Sequence, residues 1–271
     1  MSLQNKTIVF IGAGNMAEAL IRGLLVNKVV QPHQIIATDV RPERRAALQQ
    51  QFGIRTESDN AVAAQHADII VLAVKPQHMS VVLATLQPAP TTLLISIAAG
   101  IPTARIEREL TGSVRVIRVM PNTPALVGAG AAALCAGQFA LPEDLQAAET
   151  LLKAVGIVVT VNESHLDAVT ALSGSGPAYV FLVTEALIKA GIAAGLAPDV
   201  ARQLTIQTVF GAALLLRESP DDAAELRRKV TSPGGTTEAA IGVMLDHNLP
   251  EIFRDAVAAA VRRGQELSST K

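Results

Sequence analysis

Five short apolar runs recur through the first 160 residues: TIVFI, QIIAT, DIIVLAV, TLLISIA and VRVIRVM. Each is rich in β-branched residues and has little polar alternation, as expected of strands buried on both faces. Helix-like stretches separate several of them, at 17–27, 42–52, 60–66 and 77–86. Continuous apolar strands alternating with helices predict a parallel sheet, and right-handed crossovers make it a doubly wound, Rossmann-like α/β layer. AAALCA and GIVVTV predict two further strands, with a helix at 143–155 between them. After Asn162 strand signals stop, and helices are expected at 163–172, 178–194, 198–217, 222–230, 237–246 and 250–267. SGSGP, GLAPD, ESPDD and SPGGTT punctuate them. The expected domains are therefore 1–161, the Rossmann-like α/β part, and 162–271, an all-α part. Several of these helices are apolar around most of their circumference, more than one small bundle can bury, so a partner subunit is expected to cover them.

Composition narrows the partners. With 23 basic and 24 acidic residues the formal net charge is -1, and aromatics are 3%, which argues against nucleic acid. The apolar segment 178–197 carries Glu185 and Lys189 one helical turn apart, so it reads as a buried helix of a soluble protein and no membrane is expected. Cys135 is the single cysteine and sits in an apolar run, which fits a buried residue in a reducing compartment. The start, MSLQNKTIVF, lacks the shape of a signal peptide, and a cytoplasmic location is expected. Five scattered histidines lack ligand spacing, so no metal is expected.

Gly12-Ala13-Gly14 follows the first strand, Ala17 takes the third small position, and a helix begins there. That context suits a dinucleotide fold: the turn brings backbone to a pyrophosphate and a helix N-terminus faces the negative charge. The second strand ends in ATDVRPERR. Asp39 stands where an acid binds the ribose hydroxyls of NAD, whereas Arg41, Arg44 and Arg45 suit a 2′-phosphate or, equally, a solvated first turn. AVKP (73–76) and IAAG (97–100) fall at the carboxyl edge of the sheet, where such folds bind ligand. MPNTP (120–124), braced by prolines, would make a stiff wall. SPGGTTEAA opens a helix with glycines and threonines, either as an anion site or with Thr236 or Thr237 as a mere N-cap. LSGSGP is not the GxSxG of a serine hydrolase, and no obvious general acid accompanies these motifs.

FIGAGNMA, LAVKPQ, SIAAGIP, RVMPNTPALV, DAVTALSGSGPAYVF and VTSPGGTTEAAI, in this order, resemble the pyrroline-5-carboxylate reductase family across essentially the whole chain. The resemblance implies an NADPH- and/or NADH-dependent oxidoreductase that reduces a small cyclic imine to L-proline. It also implies an all-α dimerisation domain interlocked with a second copy, a homodimer at least, and a site shared between subunits. By matching motifs, Ile11, Gly12, Ala13, Gly14, Asn15 and Met16 would hold the pyrophosphate, and Asp39 and Asn60 would lie near the adenosine end. Ala73, Val74, Lys75 and Pro76 with Ile97, Ala98 and Ala99 would line the nicotinamide half. Gly235, Thr236 and Thr237 would hold the substrate, with Glu163 close by and Thr237 as the catalytic contact to the ring nitrogen. Lys229 stands where some relatives carry a polar amide, so no role passes to it. Family members often favour NADPH; Asp39 favours NADH, and both stay open. Hydroxyacid dehydrogenases of similar plan place a lysine one turn before an asparagine, whereas Lys189 here precedes Ala193 at i+4. A non-enzymatic nucleotide sensor is the other alternative.

Overall fold

The computed structural model describes residues 3–110 and 112–269, so the outer ends of both expected domains, at 1 and 271, lie outside the described residues. The chain begins β1 (Ile8–Ile11), α1 (Asn15–Val26), β2 (Ile35–Thr38), α2 (Pro42–Phe52), β3 (Arg55–Glu57), α3 (Asn60–Ala64) and β4 (Ile69–Leu72). It continues α4 (Met79–Leu83), β5 (Leu93–Ser96), α5 (Thr103–Glu109), β6 (Arg115–Met120), β7 (Gly130–Ala136), α6 (Pro142–Lys153) and β8 (Gly156–Thr160). One eight-stranded sheet results, in the order β3-β2-β1-β4-β5-β6-β7-β8.

Alternate strand residues serve two cores. Ile8 and Phe10 join Leu20, Leu24, Leu48 and Leu151 on one face; Val9 and Ile11 join Ala63, Met79, Leu83 and Ile106 on the other. Ile69 and Val71 divide from Ile70 and Leu72 in the same way. Helices cover both faces, which is why the runs lack polar alternation. β1 pairs in parallel with β2 and β4 (Ile8↔Ile35 and Ile8↔Ile69), so the sheet grows one way to β3 and then switches to β4 on the other side. The carboxyl ends of β1 and β4 therefore flank a topological switch point, where open α/β sheets bind ligand.

The structure departs from expectation in a few elements. β7 runs antiparallel to β6 (Ile117↔Ala136), so the sheet is mostly rather than wholly parallel. β3 has three residues, led by an exposed arginine at the sheet edge, and shows no apolar run. α5 buries only Thr103 and Ile106, too little for a visible helical stripe. MPNTPALV folds partly into a 3₁₀ turn, Thr123–Val127. SGSGP does not break the helix: a 3₁₀ turn (Glu163–His165), α7 (Leu166–Val169) and a π turn (Thr170–Gly174) lead into α8 (Gly176–Ala193). The π bond runs from Ser175 N–H to the Thr170 carbonyl (2.8 Å). A side chain at Gly174 would come within 2.5 Å of Met120 Cε, so the flexible tip of that methionine would have to shift.

The described residues fall into two compact units, dividing at Ser175/Gly176, with the stretch from Ala260 belonging to the first. The second holds α8, α9 (Pro198–Glu218), α10 (Ala223–Lys229), α11 (Thr236–Asp246) and the first part of α12 (Leu249–Ser269). α8 and α9 pack together at Gly191 and Ala201, where a Cβ on the glycine would lie 3.3 Å from the alanine's. Ala201 is the one buried hydrophobic residue of this unit. α8, expected to be a buried helix, has no buried residue within the chain. Glu163–Ala193 is long and apolar enough to cross a membrane by length and composition, yet Lys189 and Glu185 form an ion pair on it (2.5 Å).

Candidate active site

Ile11 ends β1 fully buried, and the chain turns at Gly12, whose φ is +93°. A Cβ at Gly12 would sit 2.9 Å from the Ala73 carbonyl oxygen. Only glycine lets the ends of β1 and β4 approach this closely. The Gly12 N–H donates to the Thr38 carbonyl (3.1 Å), tying the turn to β2. Ala13 and Ala17 are fully buried, as tight helix-on-sheet packing requires. Gly14 is the N-cap of α1, without a side-chain cap, and Asn15 and Met16 open the helix. The first N–H groups of α1 thus lack helical acceptors.

Asp39 is heavily engaged. Its carboxylate accepts from the Ala13 N–H (3.3 Å), the Arg41 N–H (3.0 Å), Arg41 Nε (3.0 Å) and Arg41 Nη2 (3.2 Å). Burial pushes this carboxyl up, but the Arg41 side chain and the two backbone donors outweigh it and hold it below 3.8. Arg45 Nη1 donates to the Asp39 carbonyl (2.5 Å), and Arg44 Nε donates to the Ala13 carbonyl (2.6 Å). Two of the three arginines therefore turn to the protein's own acceptors, and Arg41 pairs with the acid. Thr38 Oγ1 donates to Asn60 Oδ1 (2.6 Å), leaving the Asn60 amide nitrogen for a ligand.

Thr38, Asp39, Arg41 and Asn60, with the glycine turn but without Arg44 and Arg45, line one cleft of about 520 Å³ at the carboxyl edge of the sheet. Of the residues picked out from the sequence, it gathers Gly12, Ala13, Gly14, Asp39, Arg41, Asn60, Ala73, Val74 and Lys75. Ile11 lies behind it in the core, Asn15 and Met16 start α1, and Pro76 starts a 3₁₀ turn. Ile97, Ala98 and Ala99 follow β5 outside the cleft wall; the Ile97 N–H donates to the Leu72 carbonyl (3.1 Å) and Ala98 is buried. Sequence reasoning missed Thr38, Val40, His78, Val81, Val82 and Thr85. The signal was there for the last four, which keep a helical spacing from the 3₁₀ turn after Lys75 through α4 and just past its end. Apolar walls with a few polar groups suit a flat, partly charged ligand.

Glu163 lies elsewhere in the first unit. Oε1 accepts from the Thr103 N–H (2.8 Å) and Arg118 Nη1 (3.0 Å), and Oε2 from Thr103 Oγ1 (2.8 Å). These three donors tie α5, β6 and the residues after β8. Beside them Cys135 is buried, and desolvation, with the Glu163 charge second, pushes its thiol up to about 11. Gly235, Thr236 and Thr237 belong to the second unit. Gly235 is the N-cap of α11, Thr236 and Thr237 are its first helical residues, and no side chain caps it. The cap is thus the glycine rather than either threonine, leaving both hydroxyls free of that duty. The Gly235 N–H donates to the Ser232 carbonyl (3.0 Å) and the Gly234 N–H to Glu238 Oε2 (2.7 Å). Lys229 Nζ pairs with Asp221.

The cofactor reading can be tested on this geometry. A Cβ at Gly14 would meet no atom within 4 Å, so the loop faces open space there, while Gly12 could hold no side chain at all. Free N–H groups at a helix start, an acid at the end of β2 and an apolar-walled cleft fit a nicotinamide dinucleotide. Fold and site together define a dinucleotide-dependent oxidoreductase of Rossmann type. Residues 7–100 match the family of NADP oxidoreductases described as coenzyme F420-dependent. Residues 163–267 match the family described as pyrroline-5-carboxylate reductase dimerisation. A pyrroline-5-carboxylate reductase of Synechocystis sp. is 44% identical, covering 98% of this chain and 99% of its own length. That of Pseudomonas aeruginosa is 46% identical over 96% of each. The solved reductase of Coxiella burnetii superposes with a TM-score of 0.92 at 41% identity, covering 98% of this chain and 99% of its own. That of Plasmodium falciparum, solved with NADP bound, gives 0.87 at 29% identity, covering 98% and 99%. The chain belongs to the pyrroline-5-carboxylate reductase family.

Proposed function

We propose that this chain reduces 1-pyrroline-5-carboxylate to L-proline with NAD(P)H. The observation that carries the reading is the cleft at the β1/β4 switch point, with its glycine-only turn and uncapped helix start. Near-full-length relatives of that name support it. When bound, the reduced nicotinamide supplies the hydride that saturates the C=N carbon. Gly12, Ala13 and Gly14 hold the pyrophosphate, Asp39 and Asn60 the adenosine ribose, and Ala73, Val74 and Lys75 line the nicotinamide half. Gly235, Thr236 and Thr237 receive the carboxylate, and the Thr237 hydroxyl contacts the ring nitrogen as it becomes an amine. A protonated cyclic imine is already electrophilic at carbon 5, so the protein's work is orientation, worth roughly 7–11 kcal/mol of barrier. Glu163, its carboxylate held by Thr103 and Arg118, stands close by the substrate on this reading.

Steady-state reduction of pyrroline-5-carboxylate, measured separately with NADH and NADPH and against a panel of 3-hydroxy acids, tests the proposal. Turnover of hydroxy acids alone, or cofactor binding without imine reduction at any pH, rejects it. Thr237→Ala is expected to lower kcat at least about tenfold while cofactor Kd stays put; an unchanged rate removes Thr237 from the site. The chain is further proposed to act as a homodimer at least, in the cytoplasm, and fractionation of cells with an antibody to the chain checks the location.

A further inference from the structure

The glycine loop is gripped from a side that the cleft does not include. Arg44, in the first turn of α2, donates from Nε to the Ala13 carbonyl (2.6 Å) and from Nη2 to Glu18 Oε2 (2.6 Å). Glu18 also receives Arg22 Nη2 (2.5 Å), so the clamp is anchored in α1 itself. At the other end of Ala13 its N–H is taken by Asp39 (3.3 Å). The described chain has no cis peptide bond. In a trans peptide the carbonyl and the following N–H point in opposite directions. Whatever holds the Ala13 carbonyl therefore also aims the Gly14 N–H. That N–H has no acceptor among the described residues, and the space around Gly14 is open.

The Ala13–Gly14 peptide turns on the ψ of Ala13 and the φ of Gly14, and the glycine admits the positive φ that a flip would need at little cost. Were the peptide to flip, a carbonyl oxygen would face the incoming phosphates in place of an N–H, and affinity would fall by the competent fraction of the loop. We propose that Arg44 is a positioning residue for the dinucleotide: its clamp on the Ala13 carbonyl keeps the Gly14 N–H turned towards the pyrophosphate before any ligand arrives. This rests on the dinucleotide reading above. Arginine is required because Nε and Nη2 present a rigid fork to two acceptors at once, which a lysine ammonium on a flexible stem does not reproduce. Arg44 is thereby distinguished from a ligand for a 2′-phosphate, the role its position after β2 would otherwise suggest.

The test uses the full-length protein and two variants, Arg44→Lys and Arg44→Met, each checked for folding by its urea midpoint. Equilibrium binding is measured for NADH, NADPH and adenosine 2′-monophosphate, which has no pyrophosphate. Both variants are expected to lose about tenfold in affinity for NADH and NADPH alike, with adenosine 2′-monophosphate unaffected. The Gly14 amide ¹H–¹⁵N resonance of the ligand-free protein should move in both. Should Arg44→Met fail to fold, Arg44→Lys, which keeps stem and charge, decides alone. Full affinity in Arg44→Lys would show that only charge matters and overturn the proposal. A loss confined to NADPH and adenosine 2′-monophosphate would overturn it in favour of a phosphate ligand, and unchanged binding throughout would also overturn it. Failure of the unmodified protein to bind either dinucleotide would remove the dinucleotide reading, and this proposal with it.

Discussion

At Asp39 two opposed signals of the sequence meet in one hydrogen-bonded pair. Its carboxylate and the exposed Arg41 guanidinium sit at the end of β2, so on the proposed reading coenzyme choice turns on which of them meets the ribose. Asp39→Ser removes the negative charge and releases Arg41. The ratio of NADH to NADPH dissociation constants should then shift about tenfold towards NADPH, the size of one charge-assisted hydrogen bond. No shift would mean that the carboxylate faces away from the ribose. Cys135 makes the opposite case, a reactive residue type rendered inert. With its thiol pushed up to about 11 by burial, it should resist iodoacetamide at about pH 8 in the native protein and react once unfolded. Mass spectrometry of the alkylated chain reads both states.

Among the elements, α1 and α2 are joined at their N-terminal turns by the Arg44–Glu18 pair, and this contact carries a pH signature. The hydrogen bond from Arg44, opposed by burial and aided by the charges of Arg44 and Arg22, holds the Glu18 carboxyl below 4.5. Its folded-state value is lower than its unfolded one, so the stabilisation is complete above the unfolded value and disappears as pH falls through the folded one. Arg44→Met should lower the urea midpoint at about pH 6, and the deficit should close towards about pH 3. An equal deficit at both pH values would place its origin outside the ion pair. The central strands and the glycine turn were legible because burial on both faces writes continuous apolar runs, and Gly12 has no substitute where β1 nears Ala73. β3 and α5 were not, since each hides too few side chains to leave a period. The reversal of β7 depends on its pairing with β6, which no local pattern encodes. The π turn was masked by glycines and a proline that read as a break, whereas the chain continues through it with Gly174 beside Met120. In the site, Asp39, Asn60 and Lys75 stood out, whereas Thr38, His78 and Thr85 did not, and Val40, Val81 and Val82 looked like ordinary apolar residues.

For the whole molecule, the second unit has a shortage of interior. Phe181, Leu182, Leu204, Phe210, Val243 and Phe253 are exposed in the single chain, and one alanine is its buried apolar residue. So much apolar surface on helices that match the family's dimerisation region is consistent with association of copies. On the proposed reading, light scattering at micromolar concentration finds at least a dimer, and Phe210→Glu, at a position 61% exposed, shifts it towards monomer. A fully active monomer would contradict it.

The start of α11 already carries an anion, because the Gly234 N–H is satisfied by the chain's own Glu238. If an acid docks there, it arrives beside a resident negative charge, and what it gains is the attraction of the helix end less that repulsion. An uncharged look-alike would meet neither that pull nor that repulsion, so the resident carboxylate narrows the margin by which an acid is preferred.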